Sequence, residues 1–159
     1  LASYDKNQLV NDATAIIEGE VVSKVVKEDF EKFPATDYTI KVTKVYKGAP
    51  GMEVIVRTKG GETDKMIYIP EADKVASFKI GEKVVIFLTD EKGTRSDRDD
   101  FGYFVVGQFQ GKFIKQNDKL KNEKHEFNIS DFEKELNEIE IINKQKGLKK
   151  LHEGANPNI

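Results

Sequence analysis

The chain has 159 residues with 26 Lys+Arg, 28 Asp+Glu and a net charge of -2, and 38% of its residues are hydrophobic. This length is typical of one domain with a core of its own, and no apolar stretch approaches the roughly 18 residues that a membrane-spanning helix needs. Because there is no Cys, disulfides, thiol catalysis and Cys-bound metal centres are excluded. Because the net charge is slightly negative, the chain lacks the positive charge that attracts the phosphates of a nucleic acid. We therefore expect no nucleic-acid partner.

Alternating apolar and polar residues predict a β-domain over residues 13–129, after a lead-in at residues 1–12. The first predicted strand covers residues 13–25, and Gly19 at its middle indicates a bend that lets one strand serve two parts of a barrel. The run at residues 83–89 is apolar on both faces, so we expect it to be the most buried strand. Other predicted strands cover residues 36–47, 52–56, 66–69, 104–106 and 112–115. This pattern predicts a mostly β fold, a small OB-like Greek-key barrel of five or six strands, with a β-sandwich as the alternative.

Residues 130–147 predict one amphipathic helix that packs on the barrel and covers its end. Ser130 and Glu133 have the spacing of a capping box, in which each side chain binds the other residue's backbone N–H. Gly147 indicates the C-terminal stop, and residues 148–159 are predicted to be a mobile tail. Four apolar residues follow one another at helical spacing: Phe132, Leu136, Ile139 and Ile142.

The segment from Gly107 to Lys112 is a candidate binding site. Two glycines bracket two amides and an aromatic ring, between two apolar runs. The simpler interpretation is a hairpin turn in which the glycines adopt positive φ. The functional interpretation is a turn tip that presents side chains to a protein partner: Gln108, Phe109, Gln110 and Lys112.

Two charged segments are further candidates. Arg57 precedes two glycines whose backbone N–H groups could hold an anion, although a turn with exposed charges is the simpler interpretation. The loop at residues 96–100 carries Asp97, Asp99 and Asp100, which are oxygen ligands of the kind that Ca²⁺ takes. The loop lacks the EF-hand spacing and contains an arginine, so we favour a solvated loop without a metal.

No catalytic arrangement can be assigned. His125 and His152 form no HExxH-type pair, so we expect both at the surface. No Ser or Asp lies in a recognisable nucleophile motif. The sequence therefore predicts no catalytic residue, no cofactor and no metal.

Several short blocks occur in an order and spacing that carry a family resemblance across residues 12–114. They are Asp12-Ala13 with Gly19 and Val21, Val45-Tyr46-Lys47-Gly48, Val56-Arg57-Thr58, Gly60-Gly61, Phe78, Gly81-Glu82, Val84, Phe87-Leu88, Tyr103, Val106-Gly107 and Gln110-Gly111-Lys112-Phe113. They resemble a family of secreted or lipid-anchored bacterial and archaeal domains whose OB-like barrel is similar to the netrin-like module of the tissue inhibitors of metalloproteinases.

The resemblance implies a bacterial protein located outside the cytoplasm, secreted or at the cell surface, with any lipid anchor lying outside the given chain. It implies no established activity, and the zinc-chelating mechanism of the inhibitors does not carry over because this chain has no Cys. We therefore expect a non-enzymatic protein-interaction domain. The alternatives are a barrel that binds a small ligand, glycan or metal ion, and a hydrolase with a carboxylate-only site.

Overall fold

The computed structural model describes residues 2–71 and 74–151, which form a mostly β fold. Within these ranges, no helix has the length and apolarity that crossing a bilayer requires. The described residues form two α-helices and ten strands: α1 (Lys6–Asp12), β1 (Ala15–Glu28), β2 (Pro34–Lys47), β3 (Glu53–Lys59), β4 (Gly61–Glu62), β5 (Ile67–Tyr68), β6 (Lys83–Thr89), β7 (Tyr103–Val105), β8 (Lys112–Gln116), β9 (Lys119–Lys121), β10 (Glu126–Asn128) and α2 (Phe132–Lys146).

Five strands close into a ring in the order β1-β2-β3-β7-β6, and β6 then pairs back onto β1. All neighbours in this ring are antiparallel except β3 and β7, which are parallel. Strands β8, β9 and β10 extend the sheet outward from β6, while β4 and β5 form a separate small hairpin. The predicted small barrel is confirmed, and the alternative sandwich is not formed.

Strand β1 is long, and over residues 16–20, around Gly19, it pairs with both β2 and β6. Gly19 is opposite Val42 of β2 and also opposite Val84 of β6, with a register shift between Glu18 and Gly19. A Cβ atom on Gly19 would lie 2.7 Å from the side chain of Ile40 and from the carbonyl oxygen of Lys41. The close approach of β2 therefore requires glycine at this position, as predicted.

Two hydrophobic cores share strand β6. The first fills the barrel and contains Ala15, Ile17, Val21, Tyr38, Ile40, Val54, Val56, Ala76, Phe78, Val84, Ile86, Leu88 and Val105. The second lies outside the barrel wall and contains Tyr4, Leu9, Val10, Ala13, Ile16, Val85, Phe87, Val106, Phe113, Leu120, Phe127, Phe132, Leu136 and Ile139. Alternate residues of β6 point into different cores, which is why this strand is apolar on both faces.

Helix α2 ends at Gly147, which has a φ of 59°, so the predicted stop is confirmed. The predicted capping box is wrong, because the residue before the helix makes no side-chain cap hydrogen bond and Glu133 Oε1 pairs with Lys44 Nζ at 2.5 Å. The helix covers the outer wall of the barrel instead of its end. Ile142 is 39% exposed and Asn143 is buried in its place, because Asn143 donates to the backbone of α1 at Asn7.

Helix α1 lies in the segment predicted only as a lead-in. Asp5 caps it by accepting from the N–H of Gln8, and Leu9 and Val10 are buried in the outer core. The chain beyond α2 is bound to α1, since Asn11 Nδ2 donates to Leu148 O and the N–H of Leu151 donates to Asp12. The rest of the predicted tail, including His152, lies outside the described residues.

Candidate functional site

One end of the barrel carries two adjoining clefts of about 390 and 120 Å³. Their walls are the β1–β2 turn at residues 29–33, the end of β3 at residues 57–59, and the β4–β5 hairpin at residues 60–70. Thr58, Lys59 and Tyr68 line both volumes. We call the combined feature the Lys59 cleft.

A network of four buried charges backs the Lys59 cleft. Arg57 donates to Asp37 through Nε at 2.6 Å and Nη2 at 2.9 Å, and to Asp97 through Nη1 at 2.9 Å. Arg95 donates to both oxygens of the same Asp97, each at 2.7 Å. The fold positions the first pair directly, because Asp37 of β2 and Arg57 of β3 are opposite each other in the antiparallel register.

Two interpretations from the sequence are corrected by this network. Arg57 was expected as an exposed charge and Asp97 as part of a solvated loop, but both are buried, at 2% and 5% exposure. Burial is possible because the ion pair between Arg57 and Asp97 replaces the hydrogen bonds that each charge would make with water. The two residues are 40 positions apart in the sequence, so their pairing could not be predicted.

The network is electrically balanced, because it joins two arginines and two aspartates. Burial alone would raise the pKa of Asp97, but the hydrogen bonds and charges of Arg95 and Arg57 outweigh burial, so this pKa lies below its usual value. A general acid needs the opposite shift. Asp97 therefore stabilises the network and is not suited to act as a general acid.

Arg95 of this network also contacts two aromatic rings that line the cleft. The Arg95 guanidinium lies 4.3 Å from the ring centre of Phe30 and 4.8 Å from that of Phe104. The backbone N–H of Phe30 donates to Asp97 Oδ2 at 3.2 Å, which ties the β1–β2 turn to the loop between β6 and β7. The position of Phe30 at the rim is thus set by charge–ring contacts and a hydrogen bond.

The rim of the Lys59 cleft is apolar and exposed. Phe30 is 40% exposed and Phe33 43%, and the Phe33 ring contacts Tyr68 at 5.4 Å between centres. Ile67 and Ile69 of the β4–β5 hairpin are 63% and 78% exposed. We call these five residues the apolar rim.

Lys59 lies on the floor between the two parts of the cleft and is half-buried. Burial lowers its pKa, and the charge of Arg95 lowers it further, against the raising effect of Asp29 and Glu31. Within residues 2–71 and 74–151, its ammonium makes no hydrogen bond or ion pair. This cation is therefore available to a bound group.

The segment from Gly107 to Lys112 is not the predicted hairpin turn. Strands β7 and β8 both pair with β6, and residues Gln108–Gly111 form one turn of 3-10 helix. Gly107 has the expected positive φ, 63°, but the second positive φ belongs to Gln108, at 56°. The sequence could not show that the two flanking strands would both pair with β6 instead of with each other.

The residues predicted to be presented by this segment are dispersed. Gln110 is 2% exposed and holds the N-terminal chain, accepting from the N–H of Tyr4 and donating to Ala2 O. Lys112 donates to Ser77 O and Glu82 Oε1. Phe109 and Lys112 both line a separate groove of about 300 Å³, while Gln108 reaches a small cavity that it shares with Arg57 and Lys59. Gln110 is therefore a structural residue, and the other three are divided between two places.

The acidic loop does not converge on a metal. Asp99 and Asp100 are exposed, whereas Asp97 points into the arginine network. In the part of the chain that the structure describes, no three His, Asp or Glu side chains come together as metal ligands would. The His125 Nε2 atom lies 2.7 Å from Tyr4 O, where it supports the N-terminal segment.

Comparison with known proteins adds no assignment: no protein-family model matches the chain, and no curated protein matches it. The residues that sequence reasoning missed are Phe30, Phe33 and Arg95, while Lys59 was included only as part of the candidate anion segment at residues 57–61. The sequence contained one indication of the apolar rim. Phe30 and Phe33 lie among charged residues between the first two predicted strands, where aromatic side chains are not needed for a core.

Proposed function

We propose that this protein is a non-enzymatic protein-interaction domain that acts outside the cytoplasm and binds its partner at the Lys59 cleft and its apolar rim. The observation that carries the proposal is the rim itself: Phe30, Phe33, Ile67, Tyr68 and Ile69 surround a cleft without being covered by any described part of the chain. Contiguous exposed apolar surface of this kind marks interaction sites, and aromatic side chains dominate their energetics.

The position of the cleft in the barrel also supports binding. OB-type barrels commonly bind at the face of their second and third strands and at the loops beside it. Here that face is formed by β2 and β3, with the β1–β2 turn and the β6–β7 loop at its end. The extracytoplasmic location is proposed from the sequence resemblance, whose implied OB-like module is compatible with this barrel.

The charges at the cleft favour a polypeptide over a nucleic acid. A single-strand binding groove needs several cations that face the phosphates. Arg57 and Arg95 are both occupied by carboxylates, and Asp29 and Glu31 lie at the cleft beside Lys59. Phosphate binding would therefore meet one available cation and two nearby acids.

Binding of a small ligand is the second candidate, because a cleft of about 390 Å³ falls in the size range of ligand pockets. The exposed rim distinguishes the two candidates. A small ligand would occupy one of the two volumes, whereas a polypeptide would cover both parts of the cleft and contact Phe33 and Ile69 together.

The test is selection of peptides from a display library on the wild-type protein, followed by binding measurements with a Phe30→Ser/Phe33→Ser double variant. We expect the variant to bind selected peptides at least about tenfold more weakly, because it removes two central aromatic contacts. A Met52→Ser variant is the matched control, since Met52 is 87% exposed but lies at the other end of β2 and β3.

Equal peptide binding by the wild type and the double variant would contradict the proposal. Saturable binding of a ten-nucleotide oligothymidine that the double variant loses would replace it with a nucleic-acid function. Thermal stabilisation by a small sugar or metabolite, unchanged in the double variant, would favour the small-ligand candidate.

A further inference from the structure

Lys59 differs from the other cations at the same end of the barrel. Arg57 and Arg95 form short charge-assisted hydrogen bonds to Asp37 and Asp97. Lys59 has no such partner among the described residues, although its stem and ammonium are half-buried between two clefts and a small cavity. A half-buried cation without a partner costs stability, and this cost is recovered when a bound group supplies the negative charge.

We infer that the Lys59 ammonium receives the carboxylate of an Asp or Glu side chain of the partner polypeptide, whose neighbouring apolar side chain contacts the rim. The inference rests on the proposed function and specifies the partner's chemistry. The partner's carboxylate would meet Lys59 at the floor of the cleft. The partner's apolar side chain would meet the rings of Phe30, Phe33 and Tyr68 beside it.

The charges present suit a side-chain carboxylate better than a phosphate group. Asp29 and Glu31 line the same cleft, and they repel a singly charged carboxylate less than a doubly charged phosphate. Phosphate sites combine several donors, often the planar fork of an arginine. The forks of Arg57 and Arg95 are already bound to carboxylates on the buried side. One ammonium with three N–H groups is enough to hold a single carboxylate.

A chain-terminal carboxylate is disfavoured by the backbone beside Lys59. Capture of a chain terminus uses a nest of free backbone N–H groups. The N–H of Gly60 already donates to Pro34 O at 3.0 Å, and Gly61 is opposite Tyr68 in the β4–β5 ladder. The glycine pair therefore does not act as an anion nest, and the acid is expected within the partner's chain.

The test compares two capped peptides, acetyl-Phe-Glu-Phe-amide and acetyl-Phe-Gln-Phe-amide, titrated into the ¹⁵N-labelled protein and followed by NMR. We expect saturable shifts of the Gly60 and Gly61 amides, with affinity for the Glu peptide higher by on the order of fivefold, as for a partly exposed ion pair. Raising the salt concentration should reduce this preference. Lys59→Met should abolish it, whereas Lys65→Met in the same hairpin, at an exposed lysine, should retain it.

Equal affinity for the Glu and Gln peptides would overturn the inference, as would a Glu preference that persists in Lys59→Met. An uncapped acetyl-Phe-Gln-Phe acid that binds as tightly as the Glu peptide would overturn the choice of a side-chain carboxylate. Absence of saturable shifts from either peptide would also overturn it. If both peptides bind equally and the Phe30→Ser/Phe33→Ser variant loses both, the inference fails while the proposed protein-binding function stands.

Discussion

Lys47 is the last residue of β2 and Lys59 the last of β3, at opposite ends of this antiparallel pair, and only one of them has a partner. Burial lowers the pKa of both lysines. Lys47 Nζ donates to Val10 O of α1 at 2.9 Å, whereas the Lys59 ammonium has no hydrogen bond among the described residues. The helix-covered end is therefore internally satisfied, and the cleft end keeps a donor available.

The aromatic residues of the two regions show the same contrast. Phe87, Phe113, Phe127 and Phe132 form a cluster of ring contacts in the outer core, each ring at most 2% exposed. At the cleft, Phe30 and Phe33 touch Arg95 and Tyr68 but remain two-fifths exposed. Rings in the first region stabilise the fold, and those in the second are left for a partner. Three predictions test this difference.

The largest expected effect is on the stability of the helix-covered region. Phe132→Ala should lower the free energy of unfolding by about 3–5 kcal/mol, because it leaves a cavity among packed rings. Phe33→Ala is the matched change at the cleft and should cost about 1 kcal/mol or less. Urea unfolding of both variants measures the difference, and similar losses would show that the two aromatic groups do not differ in role.

The next effect concerns the buried charges behind the cleft. The pKa of Asp97 is lower in the folded protein than in the unfolded chain, so its ionised carboxylate stabilises the fold. This stabilisation is fully present above the pKa of the unfolded chain, about 3.9, and is lost as the pH falls through the pKa of the folded protein. Asp97→Asn should therefore be less stable by about 1.5–3 kcal/mol at pH 7, with a smaller difference from the wild type in acid.

Unfolding curves between pH 7 and pH 2.5 test this prediction. Asp99→Asn is the control, because Asp99 is exposed in the same loop. A constant difference between wild type and Asp97→Asn over this pH range would mean that the ion pairs with Arg57 and Arg95 do not set the acid stability.

The smallest expected effect distinguishes the two lysines. Lys59→Met should leave the free energy of unfolding within about 0.5 kcal/mol of the wild type, because no hydrogen bond is lost. Lys47→Met should cost about 1 kcal/mol, because Val10 O loses its donor. Thermal and urea unfolding give the comparison, and a larger loss for Lys59→Met would show that Lys59 supports the fold.

Elements that depend on local pattern could be predicted from the sequence. Strand β6 at Lys83–Thr89 matches the predicted run, Gly19 lies at a register shift in β1, and Gly147 ends α2. These features follow from the two-residue period of a strand and from the conformations open to glycine. Helix α1 escaped prediction because its seven residues are too few to show a helical period.

Which charges are buried and which rings are exposed could not be predicted, because both depend on how the barrel closes. Asp37, Arg57 and Asp97 belong to two strands and a distant loop, and ring closure of the barrel brings their side chains together. Gln110 became structural because the N-terminal chain happens to run past it. Burial and pairing depend on neighbours that are distant in sequence, and residue type alone does not predict those neighbours. For that reason the cleft around Lys59 could be located only in the folded chain.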